Sequence, residues 1–257
     1  MLKTIVCTKA VPGFITDPKV SDKQDNVEYQ AGTVVINESD DYALEEAVKL
    51  KRKMGGSVTV ISVGPLTAQK VLQTGLAKNA DNAIRIDGQL LDTTKTAGLL
   101  VDAIRQTEFN LVLTGVESRD TMASQVGLLI AEKLAVPFSY AVTEIEPGDE
   151  EGTLKVTKEI GAGLKQCESI KLPAVLCLQT GTTPTSFVPL KKMMMVKNKP
   201  VKKYAVTDLE TGQQESESPE FRVDAVFPPA EETMAELIKG TMEEIASKTY
   251  TKIKEAI

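Results

Sequence analysis

The chain has 257 residues, 42% of them apolar, and a formal net charge of −6. This is enough apolar material for one large domain or a domain with an appendage, and the acidic balance argues against a general nucleic-acid binder, which usually presents a basic face. With no histidine, no tryptophan and only 4% aromatic residues, inventory alone excludes Ser-His-Asp and Cys-His triads and His-ligated metal sites, and it disfavours base-stacking platforms.

Taken in chain order, "KTIVCTKAV" (3–11) reads as a short strand. It lacks the long apolar centre and cleavage site of a signal peptide. Residues 17–37 are polar with two weak alternating pieces, an excursion of hairpin type. "NESDDYALEEAVKLKRKMGG" (37–56) is a helix. Asn37 or Ser39 offers an N-cap, acids fill the first turn, Leu44, Ala47, Val48 and the stem of Lys51 share a face, and two glycines end it. "SVTVISVGP" (57–65) is a buried strand, and residues 67–80 form a helix with Val71, Leu72, Gly75 and Leu76 inward. A strand at 82–87 follows, then a helix at 93–107 with a stripe of Ala97, Leu100, Val101 and Ile104. "FNLVLTG" (109–115) is the fourth strand, and "GVESRDTMASQVGLLIAEKL" (115–134) turns at a glycine into a helical pattern.

This alternation of apolar strands and helices predicts a doubly wound, mostly parallel α/β sheet, Rossmann-like, covered on both faces. Residues 153–181 change period: strand, glycine turn at Gly161–Gly163, strand, then the buried "AVLCLQ". This is an antiparallel hairpin at an edge of the same sheet, and Glu159 and Lys165 on it suit surface ion pairing. The α/β domain is expected at 1–189. "LKKMMMVKNKPVKK" (190–203) then sets six lysines around three methionines. Residues 204–230 are acidic and Pro-punctuated, an arm that cannot fold by itself. Residues 231–257 return to a helical stripe of Met234, Ile238, Met242 and Ile245, which either lies on a partner or folds back on its own sheet. No apolar run approaches the ~20 residues of a membrane span. Cys7, Cys167 and Cys177 form no C-x-x-C, which fits a reduced, cytoplasmic compartment.

Sheets of this class bind ligands at the carboxyl ends of the strands, where the strand order reverses. At the fourth strand end Gly115 lets the chain turn, and Ser118, Asp120 and Thr121 can cap the helix that follows. The N–H groups of about Met122 to Val126 would then face outward at the positive end of a helix dipole, with Arg119 beside them. Two readings stay open: a capped helix with nothing on it, or an anion site. The loop is neither G-x-x-x-x-G-K-[ST] nor G-x-G-x-x-G.

Seven segments carry a resemblance. "VCTKAVPG", "INESDDYALEEAVKLK", "VTVISVGP", "LAKNADNAIRI", "LVLTGVESRDTMASQVGLLIAEKL", "VTKEIGAGLKQCESIKLPAVLCLQ" and "PLKKMMMVKNKPV", in this order over about residues 1–203, resemble the beta subunit of electron-transfer flavoproteins. The resemblance implies pairing with a larger alpha subunit that carries most contacts to an FAD. It also implies an adenine nucleotide in this chain: AMP in ordinary members, a second FAD in electron-bifurcating ones. The implied nucleotide contacts fall on Cys7, Lys9, Asn37, Asp40, Val63, Gly64 and Gly115, and on the loop Ser118, Arg119, Asp120, Thr121, Met122, Ala123, Ser124, Gln125, Val126 and Gly127. Asn37 would suit adenine or ribose hydrogen bonds. The lysine-methionine segment matches the family's recognition loop, with Leu190 as anchor among Lys191, Lys192, Met193, Met194 and Met195. A buried methionine cluster with lysines reaching outward is the alternative.

The chain departs from the family in three places. "TTPTSF" stands where Pro-Arg-Tyr is common, Ala10 follows the first-strand lysine in place of glutamine, and "ESRDTMASQ" replaces an acidic D-G-D-T loop. "KAVPG" resembles the bifurcating branch and "GVESRD" the AMP-binding members, and the balance favours AMP. The implied role is that of an electron carrier subunit rather than an enzyme: electrons pass from acyl-CoA-type dehydrogenases to a quinone reductase or other acceptor. A free-standing adenine-nucleotide regulator of universal-stress type would explain the phosphate loop but not the lysine-methionine segment. An ATP-dependent ligase should carry an S-G-G-x-D/T-S loop after the first strand, which "TKAVPG" is not.

Overall fold

The structure, a computed structural model, describes residues 1–13, 19–22, 27–28, 34–88, 92–181, 183–213, 224–228 and 235–256. Among these, the elements are β1 (Leu2–Cys7), β2 (Ala10–Pro12), β3 (Lys19–Val20), β4 (Val27–Glu28), β5 (Val34–Ile36), α1 (Glu38–Met54), β6 (Gly56–Gly64), α2 (Gln69–Ala77), β7 (Asn82–Asp87) and α3 (Thr93–Arg105). They continue with β8 (Leu111–Gly115), α4 (Val126–Leu134), β9 (Phe138–Pro147), β10 (Thr153–Gly161), β11 (Leu164–Lys171), β12 (Ala174–Leu178), α5 (Leu190–Val196), β13 (Lys202–Ala205), α6 (Glu210–Gln213) and α7 (Met242–Ala256).

Nine strands form one sheet in the order β11-β10-β9-β12-β8-β1-β6-β7-β13. Every neighbouring pair is parallel except those of β10 with β9 and β11. The chain leaves β1 for β6 and β7 on one side and returns to place β8 on the other. The order therefore reverses between β1 and β8, where Thr4 pairs with Leu111 and Val6 with Leu113, and the carboxyl ends of these two strands open a crevice.

Alternation along the strands feeds two cores. Val58, Val60, Leu111 and Leu113 pack with Leu44, Leu50, Leu72 and Leu76 on the α1/α2 face. Ile61, Val63 and Val112 pack with Leu100, Val101, Ile104 and Ile130 on the α3/α4 face. The helices follow their sequence signals. α1 has Glu38, Asp40 and Asp41 in its first turn and Lys51, Arg52 and Lys53 in its last, matching the helix dipole. α3 is capped by the Asp92 side chain, which accepts from the Lys95 N–H at 2.8 Å. The inward residues expected of α2 and α3 are buried.

The structure corrects several expectations. The first strand stops at Cys7, and Ala10–Pro12 leaves to pair with β5. The polar excursion is split: β5 belongs with β2, while β3 pairs with β4. The fourth helix begins at Val126, after a stretch without regular structure. The segment 190–203 is not a bare loop but α5 followed by β13. Residues 204–213, assigned by composition to the arm, belong with the sheet: β13, which runs from the end of the lysine-rich segment into the expected arm, pairs with β7, Tyr204 and Leu209 are buried, and the Thr211 N–H donates to Asp102 at 2.8 Å. A strand of polar composition is held here because Tyr204 on it, with Leu209 four residues beyond its end, fills the α3-side core.

Residues 19–28 and 223–257 form a second unit. In it the last helix starts at Met242, later than the stripe suggests, and residues 235–241 are not helical. Met234 lies outside the described residues. Leu237, Met242, Tyr250 and Ile253 are exposed.

Candidate functional site

The crevice between β1 and β8 is a cavity of about 290 Å³. Four segments converge on it: the end of β1, the end of β6, the start of α1 and the loop from β8 into α4. The start of α3 closes one wall.

Asp40 ties these segments together. One oxygen accepts from the Lys9 N–H at 2.7 Å and the other from the Gly115 N–H at 3.0 Å, joining α1 to the ends of β1 and β8. Burial pushes its carboxyl up to about 7, while those N–H groups, Asn37 and the Lys9 charge pull the other way. Gly115 is required for this approach, since a Cβ there would overlap Ser39 Oγ and lie 2.6 Å from Asp40 Oδ1.

Asn37 stands at the N-cap position of α1, yet its side chain makes no cap hydrogen bond. It reaches across to the next loop instead: Nδ2 donates to the Glu117 carbonyl at 2.8 Å and Oδ1 accepts from the Arg119 N–H at 3.1 Å. The Ser39 hydroxyl donates to the same carbonyl at 2.6 Å. The loop after β8 is thus held from α1.

Ser118, Asp120 and Thr121 do not cap α4, whose N-cap is Gln125 with no side-chain bond. They surround Lys9, whose Nζ lies 3.1 Å from Ser118 Oγ, 2.8 Å from Asp120 Oδ1 and 3.4 Å from Thr121 Oγ1. Burial raises the Asp120 carboxyl, but the Lys9 and Ser118 hydrogen bonds outweigh it and hold the group below the usual range. Beyond this knot the backbone is strained: Met122 and Ser124 have φ of 49° and 55°, left-handed for residues with side chains. Among the described residues the N–H groups of Ala123 to Gly127 have no acceptor: those of Gln125 to Gly127 stand at the start of α4, where a helix leaves its first donors unpaired, and those of Ala123 and Ser124 belong to the irregular stretch before it. Gly127 admits close approach from below, since a Cβ would overlap Cys177 Sγ and come within 2.6 Å of Thr114 Oγ1.

Cys7, Lys9, Asn37, Asp40, Val63, Gly115, Ser118, Asp120, Thr121, Ala123, Ser124, Gln125, Val126 and Gly127 all line the cavity. Gly64, Arg119 and Met122 do not: Gly64 lies one residue past the wall, Arg119 contributes its N–H to Asn37, and Met122 is exposed. Thr8, Thr114, Val116 and Glu117 line it as neighbours of expected residues. Asp92, Thr93, Thr96 and Leu100 come from α3 and were missed. The signal available for them was the capping aspartate that opens a helix after the third strand.

Cys7 at the site and Cys177 beneath Gly127 are both held as thiols. Burial, then the Asp40 charge and Cys177, push Cys7 far up, and burial pushes Cys177 up to about 11. What the arrangement offers is a row of free N–H donors at a helix start, one lysine, and amide and carboxylate groups for sugar or base.

A second surface lies on α5. Leu190, Met194 and Met195 are exposed with Lys191 and Lys192, while Met193 turns inward onto the core, so these methionines do not form a buried cluster. Phe187, just before the helix, is 88% exposed and was not singled out by the sequence.

A family model described as "Electron transfer flavoprotein domain" matches residues 27–209. An electron transfer flavoprotein subunit beta from Thermoanaerobacterium thermosaccharolyticum is 33% identical over 82% of this chain and 82% of its own length. The subunit beta from Methylophilus methylotrophus is 28% identical over 99% of this chain and 98% of its own, and that from Bacillus subtilis 26% over 94% of each.

Proposed function

The chain belongs to the electron transfer flavoprotein family, on the beta-subunit side, and from that premise we propose that it holds AMP in the β1/β8 crevice and pairs with an alpha subunit whose FAD it helps to enclose. The observation that carries the nucleotide is that Ala123 to Gly127, whose N–H groups have no acceptor among the described residues, line the same cavity as Lys9, Asn37 and Asp40. Backbone donors at a helix start suit a phosphate, each charge-assisted bond being stronger than a neutral one. The cavity, about 290 Å³, is at the small end of ligand sites, which favours a mononucleotide over a second FAD.

In this role the chain's residues bind and position. Lys9, already bonded to Asp120, fixes the loop and offers its remaining charge to phosphate. Asn37 and Asp40 lock the loop to α1. No side chain is assigned to bond making or breaking. The flavin, when bound, carries the electrons, and the protein supplies position and field. Donors of acyl-CoA dehydrogenase type would dock on α5, and a quinone reductase or other acceptor would take the electrons onward. No described helix is long and apolar enough to cross a membrane.

Co-expression with the partner subunit, denaturation and mass analysis of the released nucleotide test this reading. AMP in the supernatant beside one FAD is the expected result. Two FAD molecules per heterodimer would replace AMP by the second flavin, and a colourless preparation without adenylate would overturn the assignment. Adenylate on a chain that captures no flavin subunit would favour a free-standing nucleotide regulator.

A further inference from the structure

Beyond Asp40, α1 faces a different part of the molecule. Asp41, Glu45 and Glu46 do not line the crevice. Lys78, at the end of α2, has a side chain only 3% exposed, and its Nζ donates to Asp41 at 2.6 and 2.8 Å and to Glu45 Oε1 at 2.9 Å. A buried ammonium persists only when paired in this way. The same Glu45 oxygen accepts the Ser186 N–H at 2.8 Å and the Ser186 hydroxyl. Next to it, Glu46 is buried and accepts from Thr183 Oγ1 at 2.8 Å and from Lys49 at 3.0 Å.

Residues 183–189 have neither helix nor strand, so no backbone ladder fixes them. Their polar anchorage is this pair of adjacent carboxylates. Four residues after Ser186, α5 begins. Its inner side, Met193 and Val196, rests on the core. Its outer side is the exposed cluster of Leu190, Met194 and Met195, with Phe187 ahead of it.

We propose that Lys78, Glu45 and Ser186 form a clasp that positions the segment leading into α5 and thereby pre-organises the docking surface. All three are positioning residues: Lys78 neutralises and orients the Glu45 carboxylate, and Glu45 holds Ser186. The inference rests on the reading of α5 as the docking helix. A small apolar contact binds well only if its backbone is already fixed, because ordering it on binding subtracts from affinity.

The first readout is independent of any partner. In the purified chain, amide exchange over residues 187–196 should be about tenfold faster in Ser186→Ala and in Lys78→Met, as expected for a lost hydrogen bond to a charged group, and Lys78→Arg should restore slow exchange. Ser186 is exposed, so its variant keeps the core intact whatever Lys78→Met does to folding. The second readout uses the assembled flavoprotein: Ser186→Ala should raise KM for the donor dehydrogenase about threefold to tenfold, with kcat and bound nucleotide unchanged. Unchanged exchange overturns the clasp. Faster exchange with unchanged KM, where Leu190→Ala does raise KM, overturns its role in docking. If Leu190→Ala also leaves KM unchanged, the docking reading itself fails and the inference falls with it.

Discussion

Asp40 concentrates the physics of the crevice in one carboxyl group. Its carboxyl lies at about 7 in the folded chain and near 3.9 when unfolded. Between those values the folded protein keeps a proton that the unfolded chain has released. The stabilisation is therefore complete below about pH 4 and is lost as pH rises to about 7. In nucleotide-free protein, the stability of the parent minus that of Asp40→Asn should fall across this window and level off above it, as urea midpoints at several pH values would report; a flat difference would exclude the shift. Gly115 is the steric counterpart. Gly115→Ala must push Ser39 and Asp40 aside, with an expected loss of about 2–3 kcal/mol in urea unfolding. Arg85 behaves in the opposite way. Its side chain is 3% exposed and its Nη2 reaches Asp87 at 2.8 Å, but Nε and Nη1 have no partner among the described residues, nor has Ser62 Oγ across the ladder. Asp87 is half exposed and water can solvate it without this partner, so removing the incompletely paired buried charge relieves its desolvation cost. Arg85→Met should melt at the same temperature as the parent or higher, which a fall of several degrees would contradict.

At the scale of elements, α5 shows how one short helix serves two ends. Met193→Ala removes an inward side chain and should cost about 1–2 kcal/mol of stability, with little effect on donor kinetics. Leu190→Ala removes an outward one; stability should stay within about 0.5 kcal/mol of the parent, while KM for the proposed dehydrogenase rises. Equal effects of the two substitutions on both measurements would refute this division of faces. The methionine run itself was legible, but its division was not. A run of three methionines carries no periodicity, and only the position of the helix against α2 and the core decides which of them points inward. The loop into α4 is similar. Its small polar residues announce a turn before a helix, but Ser118, Asp120 and Thr121 read equally well as caps. They are not caps because Lys9, which lies 109 positions from Ser118, arrives beside them.

At the scale of the whole chain, the sheet and the second unit separate by chemistry. In the sheet unit Leu209 is buried beside α6 and the Thr211 N–H donates to Asp102. The second unit exposes Leu237, Met242, Tyr250 and Ile253, an apolar set that suits a covering surface. A chain ending at Gln213 should keep its melting midpoint within about 5 °C yet fail to retain the proposed flavin-carrying subunit in a pull-down. Undiminished capture by the shortened chain would assign partner binding to the sheet unit instead.

The sequence by itself determined the alternation of strands and helices, the faces those helices bury and the loops that meet at the crevice, because each is written in a local period or a nearby turn residue. It also carried the family likeness, through short segments in a fixed order. Tertiary structure alone decided three other things: Asn37 spans to the next loop and does not cap its helix, α3 supplies one wall of the site, and a lysine-rich stretch becomes the last strand of the sheet. Each of these depends on groups tens of residues apart being brought together, and that proximity is set by the order of the strands, which no local pattern encodes.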